Sequence, residues 1–458
     1  MDSHWPGSVN CVLKIEPLSD PSKDTSQGMF TIKATSMTQK KAIIVAGSSS
    51  YPDNNLWQFT EKVTDYAYLA LISQGYTRDN IMYLSPNSET DVDNDGFNDV
   101  DRDATKANLE EAITVWAKDA GEVLLYMTDH GGRGTFQVNE DEILRAEEEL
   151  KPWLDDLQAA MPGRVILIYD ACYSGSFIPL LTPPAGKERI VITSSGPDEL
   201  AWFQSNGLLS FSWQFWALVF YNGKLYDSFD GARGMMPIKE EQVIQTPHLD
   251  ANGDGKGYDY SEDEKDVYRE DKLAIKDIVI GKRNVAASTP PVISTVSGEQ
   301  TLNGETSATI RVQDIIALNE IVRVWAVILP PDYRLTPGQP VTDLPETDLT
   351  DPDGDGVYEG NYNGFTVNGT YRIAVYLEDT EGLFSPPAQT TVVQTGIPET
   401  KGDLDGDKKL TLKDLITALK LATGDTLTIP VPHSDADADG DDRIGSEEAV
   451  YILKRIAE

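Results

Sequence analysis

Short apolar runs alternate with helically spaced ones between residues 41 and 285, and the alternation predicts a strand–helix–strand–helix order. Ala42-Ile43-Ile44-Val45-Ala46, Ile81-Met82-Tyr83-Leu84, Val123-Leu124-Leu125-Tyr126-Met127, Val165-Ile166-Leu167-Ile168-Tyr169 and Arg189-Ile190-Val191-Ile192-Thr193 are near-continuous apolar segments of strand length. Such segments mark strands buried on both faces of a parallel sheet. Between them, Phe59, Val63, Tyr66, Leu69 and Ala70 recur at helical spacing within Trp57 to Ile72. Leu109 to Trp116, the surroundings of Trp153 and Leu157, and the aromatic stretch Phe211 to Phe220 read as further helices. The order predicts an α/β domain, a mostly parallel sheet with helices on both faces.

Around Ala286 the period shortens to two. Ser288-Thr289-Pro290-Pro291 reads as a linker, and Thr309 to Val312, Val322 to Val327 and Thr370 to Leu377 alternate between Pro/Gly/Asp turns. About 110 residues of this kind predict an all-β sandwich of immunoglobulin-like or fibronectin-like type. A short, acidic, helical segment begins near Lys401, and Val12 to Ile15 and Met29 to Ile32 read as two strands ahead of the α/β part. The expected organisation is an N-terminal β extension or partial β domain (1–38), an α/β domain (39–286), a sandwich (287–397) and a small α module (398–458).

Composition narrows the function. The 458-residue chain carries 38 Lys plus Arg against 75 Asp plus Glu, for a net charge of −37. Its 40 % apolar content is ordinary for folded domains, so the acid does not signal global disorder. Nucleic acid and anionic membranes are repelled by such a surface. The two cysteines, Cys11 and Cys172, are too far apart to suggest a disulfide framework. No apolar run is long enough to span a membrane. Met1-Asp2-Ser3-His4-Trp5-Pro6 lacks the basic and apolar regions of a signal peptide, which fits a cytosolic protein or a mature or trimmed piece of a secreted one.

Two predicted strand ends carry the candidate chemistry. One apolar run opens into Thr128-Asp129-His130-Gly131-Gly132, another into Asp170-Ala171-Cys172-Tyr173-Ser174-Gly175-Ser176. In parallel sheets, chemistry gathers outside the carboxyl ends of the strands. A thiol and an imidazole there are the parts of a cysteine nucleophile and its base. The 42 residues between them leave room for one helix and one strand, as two neighbouring parallel strands require. The Gly131 and Cys172 amides are the candidate oxyanion donors. Asp170, Ser194 and Ser195 read equally as a substrate-pocket wall or as strand-end packing, and Asp129 as an orienter of the histidine or a loop cap.

These blocks resemble the legumain-like peptidases, clan relatives of caspases, gingipains and clostripain. Thr128-Asp129-His130-Gly131 matches the family's T-D-H-G block, and Asp170-Ala171-Cys172-Tyr173-Ser174-Gly175-Ser176 its E-A-C-x-S-G-S block, with Asp for Glu. Val45-Ala46-Gly47-Ser48 matches its first strand end. The resemblance, over roughly residues 40 to 285, implies a caspase-like fold and a Cys172/His130 dyad. It departs in the pocket. Ser49 replaces an Asn, Leu56-Trp57-Gln58-Phe59-Thr60-Glu61 lacks the expected arginine, and Leu208-Leu209 stand where an acidic residue belongs. Cleavage after Asn or Asp is therefore not implied.

The acid itself gathers in Asp/Gly loops. Oxygen ligands at loop positions 1, 3, 5 and 12 hold calcium (Ca2+). Asp403, Asp405, Asp407 and Asp414 occupy these positions, and Asp437, Asp439, Asp441 and Glu448 repeat them, each followed by a helix. The duplicated EF-hand-type arrangement resembles a dockerin, which implies a cohesin-like partner. Three further loops are candidate metal sites or solvated turns: Asp91, Asp93, Asp95 and Asp99; Asp250, Asn252 and Asp254, with only Ser261 at the twelfth position; and Asp351, Asp353 and Asp355. Calcium loops favour an extracellular or cell-surface setting. The leading expectation is a calcium-stabilised cysteine endopeptidase acting on peptide or protein substrates. The other is a catalytically silent caspase-like domain within a calcium-dependent binding or adhesion protein.

Overall fold

The computed structural model describes residues 39–48, 54–93, 95–221, 223–236, 245–257, 265–281, 290–333, 339–342, 344–397, 401–405, 409–423, 436, 438 and 444–457. The expected strands at 12–15 and 29–32, with Cys11, Ser49, Ser261, Asp407, Asp437, Asp439 and Asp441, lie outside these residues.

The α/β region begins with β1 (Lys40–Ala46), α1 (Trp57–Ser73), β2 (Ile81–Leu84), α2 (Lys106–Thr114) and β3 (Glu122–Thr128). It continues through α3 (Lys151–Ala160), β4 (Val165–Asp170), β5 (Arg189–Thr193), α4 (Phe211–Tyr221), α5 (Leu225–Met235), β6 (His248–Asp250) and α6 (Lys265–Ile275). The strands form one sheet in the order β6-β5-β4-β3-β1-β2. β1 to β5 run parallel, while β6 pairs antiparallel with β5 at the edge, from His248↔Thr193 to Asp250↔Val191. The sheet is thus mostly parallel, and its antiparallel edge is a three-residue strand that carries too little period to read in the sequence.

Side chains alternate across the pleat, so each apolar strand feeds two cores. Ala42, Ile44, Leu124, Tyr126, Ile166, Ile168, Ile190 and Ile192 pack with residues of α1, α4 and α5. Ile43, Val45, Val123, Leu125, Met127, Val165, Leu167 and Val191 pack with residues of α2 and α3 on the other side. Each fully buried Ile, Leu or Val contributes about 1.5–3 kcal/mol, which fixes the strand register. α1 has no Gly or Pro and stops at Gly75, whose φ of 85° suits a glycine after a helix end. α2 is capped by Thr105 Oγ1, which accepts from Asn108 N at 3.2 Å.

Beyond residue 290 come β7 (Val292–Val296), β8 (Gln300–Leu302), β9 (Ala308–Ile316), β10 (Ile321–Leu329), β11 (Glu346–Leu349), β12 (Tyr358–Tyr362), β13 (Gly369–Asp379) and β14 (Ala388–Gln394). They make two sheets, β7-β9-β12 and β8-β14-β13-β10-β11. Ile310 and Val312 of the first share a core with Val324, Ala326, Ile328, Ile373 and Val375 of the second. The opposite faces of β10 and β13 are buried too. Trp325, Val327, Leu329, Ala374 and Tyr376 pack against Trp202, Leu209 and Met235 of the α/β region.

At the end of the chain, α7 (Leu412–Ala422) and α8 (Ser446–Ile456) share a small core of Leu404, Ala418, Ala436, Ala449 and Ile452. No helix among the described residues is long and apolar enough to cross a membrane.

Candidate active site

β3 and β4 stay in register from Val123↔Val165 to Thr128↔Asp170. His130 and Cys172 therefore each stand two residues beyond the same rung of the sheet, at the carboxyl edge. Gly131 then meets the Cys172 backbone: a Cβ at Gly131 would lie 2.5 Å from the Tyr169 hydroxyl, 2.7 Å from Ala171 Cβ and 2.8 Å from the Cys172 carbonyl oxygen. Only glycine permits this approach, which brings the backbones of both candidate oxyanion donors together.

Cys172 sits where β4 breaks into a short 3-10 helix, Ser174–Leu180. The break runs through Tyr173 in the left-handed region (φ 60°), a strain of about 1–2 kcal/mol that its surroundings must hold. Ala171 N donates to Ser194 Oγ (3.2 Å), Ser195 Oγ to the Ala171 carbonyl (3.0 Å), Ser195 N to Ser174 Oγ (3.0 Å) and Gly175 N to the Ser195 carbonyl (2.9 Å). Asp170 accepts from Ser212 N at 3.1 Å in the first turn of α4. Asp170, Ser194 and Ser195 are all fully buried. Ser194 and Ser195 bind the turn and Asp170 binds the start of α4, contacts that fit the strand-end packing reading, while Asp170 Oδ1 takes no hydrogen bond among the described residues.

What encloses the thiol instead is apolar. Leu56, Phe59, Leu200, Ala201 and Phe203 cluster around Cys172, with Tyr173 packed alongside. Cys172 is 2 % exposed, and its Sγ accepts from Ala201 N at 3.4 Å. Burial pushes the thiol up to about 11, while the Ala201 N–H pulls it the other way. This enclosure fits the absence of a basic residue from Leu56-Trp57-Gln58-Phe59-Thr60-Glu61.

His130 is oriented from two sides. Its backbone N donates to Asp129 Oδ1 (2.6 Å), and Thr60 Oγ1 donates to Asp129 Oδ2 (2.7 Å). Burial holds the Asp129 carboxyl above its ordinary value, against the pull of His130. On the ring, Nε2 lies 3.1 Å from Asn54 Oδ1, which also accepts from Leu56 N at 2.9 Å. The Leu56 N–H identifies that Asn54 atom as oxygen, so Nε2 is the nitrogen that donates to it.

The Ala201–Ser205 segment is fastened to the two-sheet region. Phe203 N donates to the Val341 carbonyl and Val341 N to the Ala201 carbonyl, both at 3.0 Å. Gln204 Nε2 donates to the Leu344 carbonyl (2.9 Å) and to Glu346 Oε1 (2.8 Å), and Trp325 Nε1 to Ser205 Oγ (2.9 Å). Ser205 Oγ also donates to Glu346 Oε1. Sequence reasoning missed Asn54, Ala201, Val341 and Glu346. Asn54 had a faint signal, an Asn three residues before a helix, where such side chains form turns. Val341 and Glu346 had none, since their partners lie some 140 residues away.

The acidic loops are distinct from this site. Ligand oxygens of Asp91, Asp93 and Asp99 lie within 4.8 Å of one another, as do those of Asp351, Asp353 and Asp355, and of Asp403, Asp405 and Asp414. Asp95 is not in the first group; its carboxylate accepts from Phe97 N at 2.9 Å. Asp414 Oδ1 accepts from Leu404 N (2.9 Å) and Asp405 N (3.2 Å), drawing the start of α7 onto its loop. Glu448 accepts likewise from Ala438 N at 3.2 Å.

Fold and site together describe an α/β domain with a cysteine-peptidase type of centre. The model of the Peptidase C13 family matches residues 88–207, a stretch that includes His130, Cys172 and the Leu200–Ser205 wall. Among solved structures, a caspase-1 from Spodoptera frugiperda is similar at 12 % identity over 46 % of this chain and 86 % of that one, with a TM-score of 0.32. Fibronectin(III)-like modules of Clostridium thermocellum CbhA are similar at 16 % identity over 24 % of this chain and 99 % of theirs, with a TM-score of 0.17. No curated protein matches the chain.

Proposed function

We propose that this chain is a cysteine endopeptidase working through Cys172 and His130. The supporting observation is the shared rung: Thr128 and Asp170 pair, and His130 and Cys172 each follow two residues beyond them along the chain. In this reading His130 takes the thiol proton and the sulfur attacks the scissile carbonyl carbon. The Gly131 and Cys172 amides receive the oxyanion. His130 then protonates the departing amine as the C–N bond breaks, leaving a thioester. Water, deprotonated by His130, cleaves the thioester, and the thiol is restored with release of the new carboxylic acid. The apolar enclosure of Leu56, Phe59, Leu200 and Phe203 supports a side chain without charge at the cleavage position. Cleavage of a diverse peptide library tests the reading, with preference for apolar residues expected and no cleavage at all overturning it.

The burial of Cys172 favours a second reading, a catalytically silent domain in a binding protein. A peptide probe with a thiol-reactive warhead separates the two: labelling at Cys172 supports the enzyme, and unlabelled folded protein the silent domain.

Calcium is part of the proposal. The clustered donor sets are hard carboxylate oxygens, which suit Ca2+. Asp403, Asp405 and Asp414, with Asp407, would hold one ion, and Asp437, Asp439, Asp441 and Glu448 a second; the Asp91 and Asp351 loops offer further places. Bound calcium supplies charge that stabilises the native loops and takes no step in peptide cleavage. The reading extends to a fibronectin-like sandwich, an extracellular or cell-surface setting and a dockerin-like end. Leu412, Ile416 and Leu419 on α7, with Val450 and Leu453 on α8, are half to two-thirds exposed and support a cohesin-like partner.

A further inference from the structure

The loop after β6 has a closing carboxylate that its own spacing hides. Asp250 accepts from Gly253 N (2.7 Å) and Gly255 N (2.9 Å), Asn252 Oδ1 from Asp254 N (2.9 Å) and Asp254 Oδ1 from Lys256 N (2.9 Å). Asp271, on α6, reaches back to this loop. Its Oδ1 accepts from Ala251 N (2.7 Å) and Asn252 N (3.1 Å). Its Oδ2 is buried and takes no hydrogen bond among the described residues. The residue is 0 % exposed, and Asp250 beside it is 1 % exposed. Asp250 and Asp254, both of its own sign, act on Asp271. A buried carboxylate oxygen with no donor and two like charges at hand is relieved either by a proton or by a cation, and a cation would satisfy all of these carboxylates together.

We propose that Asp250, Asn252, Asp254 and Asp271 form a calcium site, with Asp271 as the closing ligand supplied by α6. The proposal rests on reading the Asp-x-Asp loops as calcium loops. The terminal module carries the same local geometry: Asp414 takes the amides of the second and third residues of its loop, Leu404 and Asp405. Asp271 takes those of the second and third residues here, Ala251 and Asn252. Asp414 follows within its loop, whereas Asp271 arrives only after a longer excursion, so the twelfth position held Ser261 and the loop read as open.

The site lies where it bears on the nucleophile. β6 pairs with β5, whose end continues into Ser194 and Ser195. A Cβ at Gly253 would lie 2.7 Å from Pro183, and one at Gly255 2.7 Å from Thr182, so the loop rests on the chain that leaves the Cys172 turn. An ion here ties α6, the sheet edge and that segment together.

Native mass spectrometry of the full chain in added Ca2+ counts the ions. Asp271→Asn and the exposed Asp254→Asn are each expected to bind one ion fewer than the parent, with unchanged circular dichroism. Retention of the parent's count by both variants overturns this site while leaving the other loops standing. A parent that binds no calcium overturns the wider reading and this site with it. If Asp271→Asn fails to fold, Asp254→Asn decides alone: an unchanged count and affinity refutes the proposal.

Discussion

The two sides of Cys172 are built in different ways. The turn that presents it, Ala171 to Ser176, is held by its own sheet through Ser194, Ser195 and the β3–β4 register. The wall that covers it, Leu200 to Ser205, is held from outside by Val341, Leu344 and Glu346. One side is set by local sequence and the apolar core. The other depends on a contact with a region that folds around a separate core. The position of Cys172 is thus a property of the α/β domain, while its exposure is a property shared with the two-sheet region.

Removing the proposed nucleophile is the bluntest cut on the first side. Cys172→Ala is expected to lower kcat/KM for a peptide by 10⁴-fold or more, since roughly that much is lost when a nucleophile of a covalent mechanism is removed. The melting temperature should hardly move, because the turn's hydrogen bonds run through Ser194, Ser195 and backbone atoms. Peptide cleavage at the parental rate by this variant would end the proposed mechanism.

The first side was legible in the sequence and the second was not, for a physical reason. Buried strands such as Val165-Ile166-Leu167-Ile168-Tyr169 announce themselves, and the residues that follow them fall at the sheet's carboxyl edge. That much placed His130 and Cys172. Asp170, Ser194 and Ser195 have the composition of a polar pocket, and sequence cannot tell a hydroxyl that faces substrate from one that braces a turn. Trp325 and Val327 follow the strand period, but no pattern says that their face meets Trp202 instead of water. Asp271 shows the same limit, since its partner loop is close in space and distant in spacing.

A subtler test of the first side is the histidine's orientation. Asn54→Ala removes the acceptor of Nε2–H and frees the ring to turn. A loss of about 10²-fold in kcat is expected, the scale of a small misplacement of a catalytic group. KM should stay near its parental value, because Asn54 holds the proposed base. Glutamine at the same position should not rescue, having a longer reach, and an unchanged kcat would remove Asn54 from the site.

The smallest expected effect probes the second side. The thiol is pushed up to about 11 by its cover, above the value of roughly 8.5 for a free cysteine. A raised folded value means that the closed cover favours the neutral thiol. That contribution is whole below the free-cysteine value and is lost as pH rises through about 11. Glu346→Ala removes the carboxylate that holds Gln204 and Ser205, so the cover loosens and the thiol drifts back toward its ordinary range. Each unit of that drift raises the thiolate fraction about tenfold at pH 8. Alkylation of Cys172 by iodoacetamide at pH 8 should therefore run about 3 to 10 times faster in Glu346→Ala, with its midpoint moved to lower pH. Glu299→Ala is the control: it lies in the same two-sheet region and accepts from Thr391 Oγ1 at 3.0 Å. Equal rates in the parent and Glu346→Ala would mean that the α/β domain holds its wall unaided, and the two sides of Cys172 would then be alike after all.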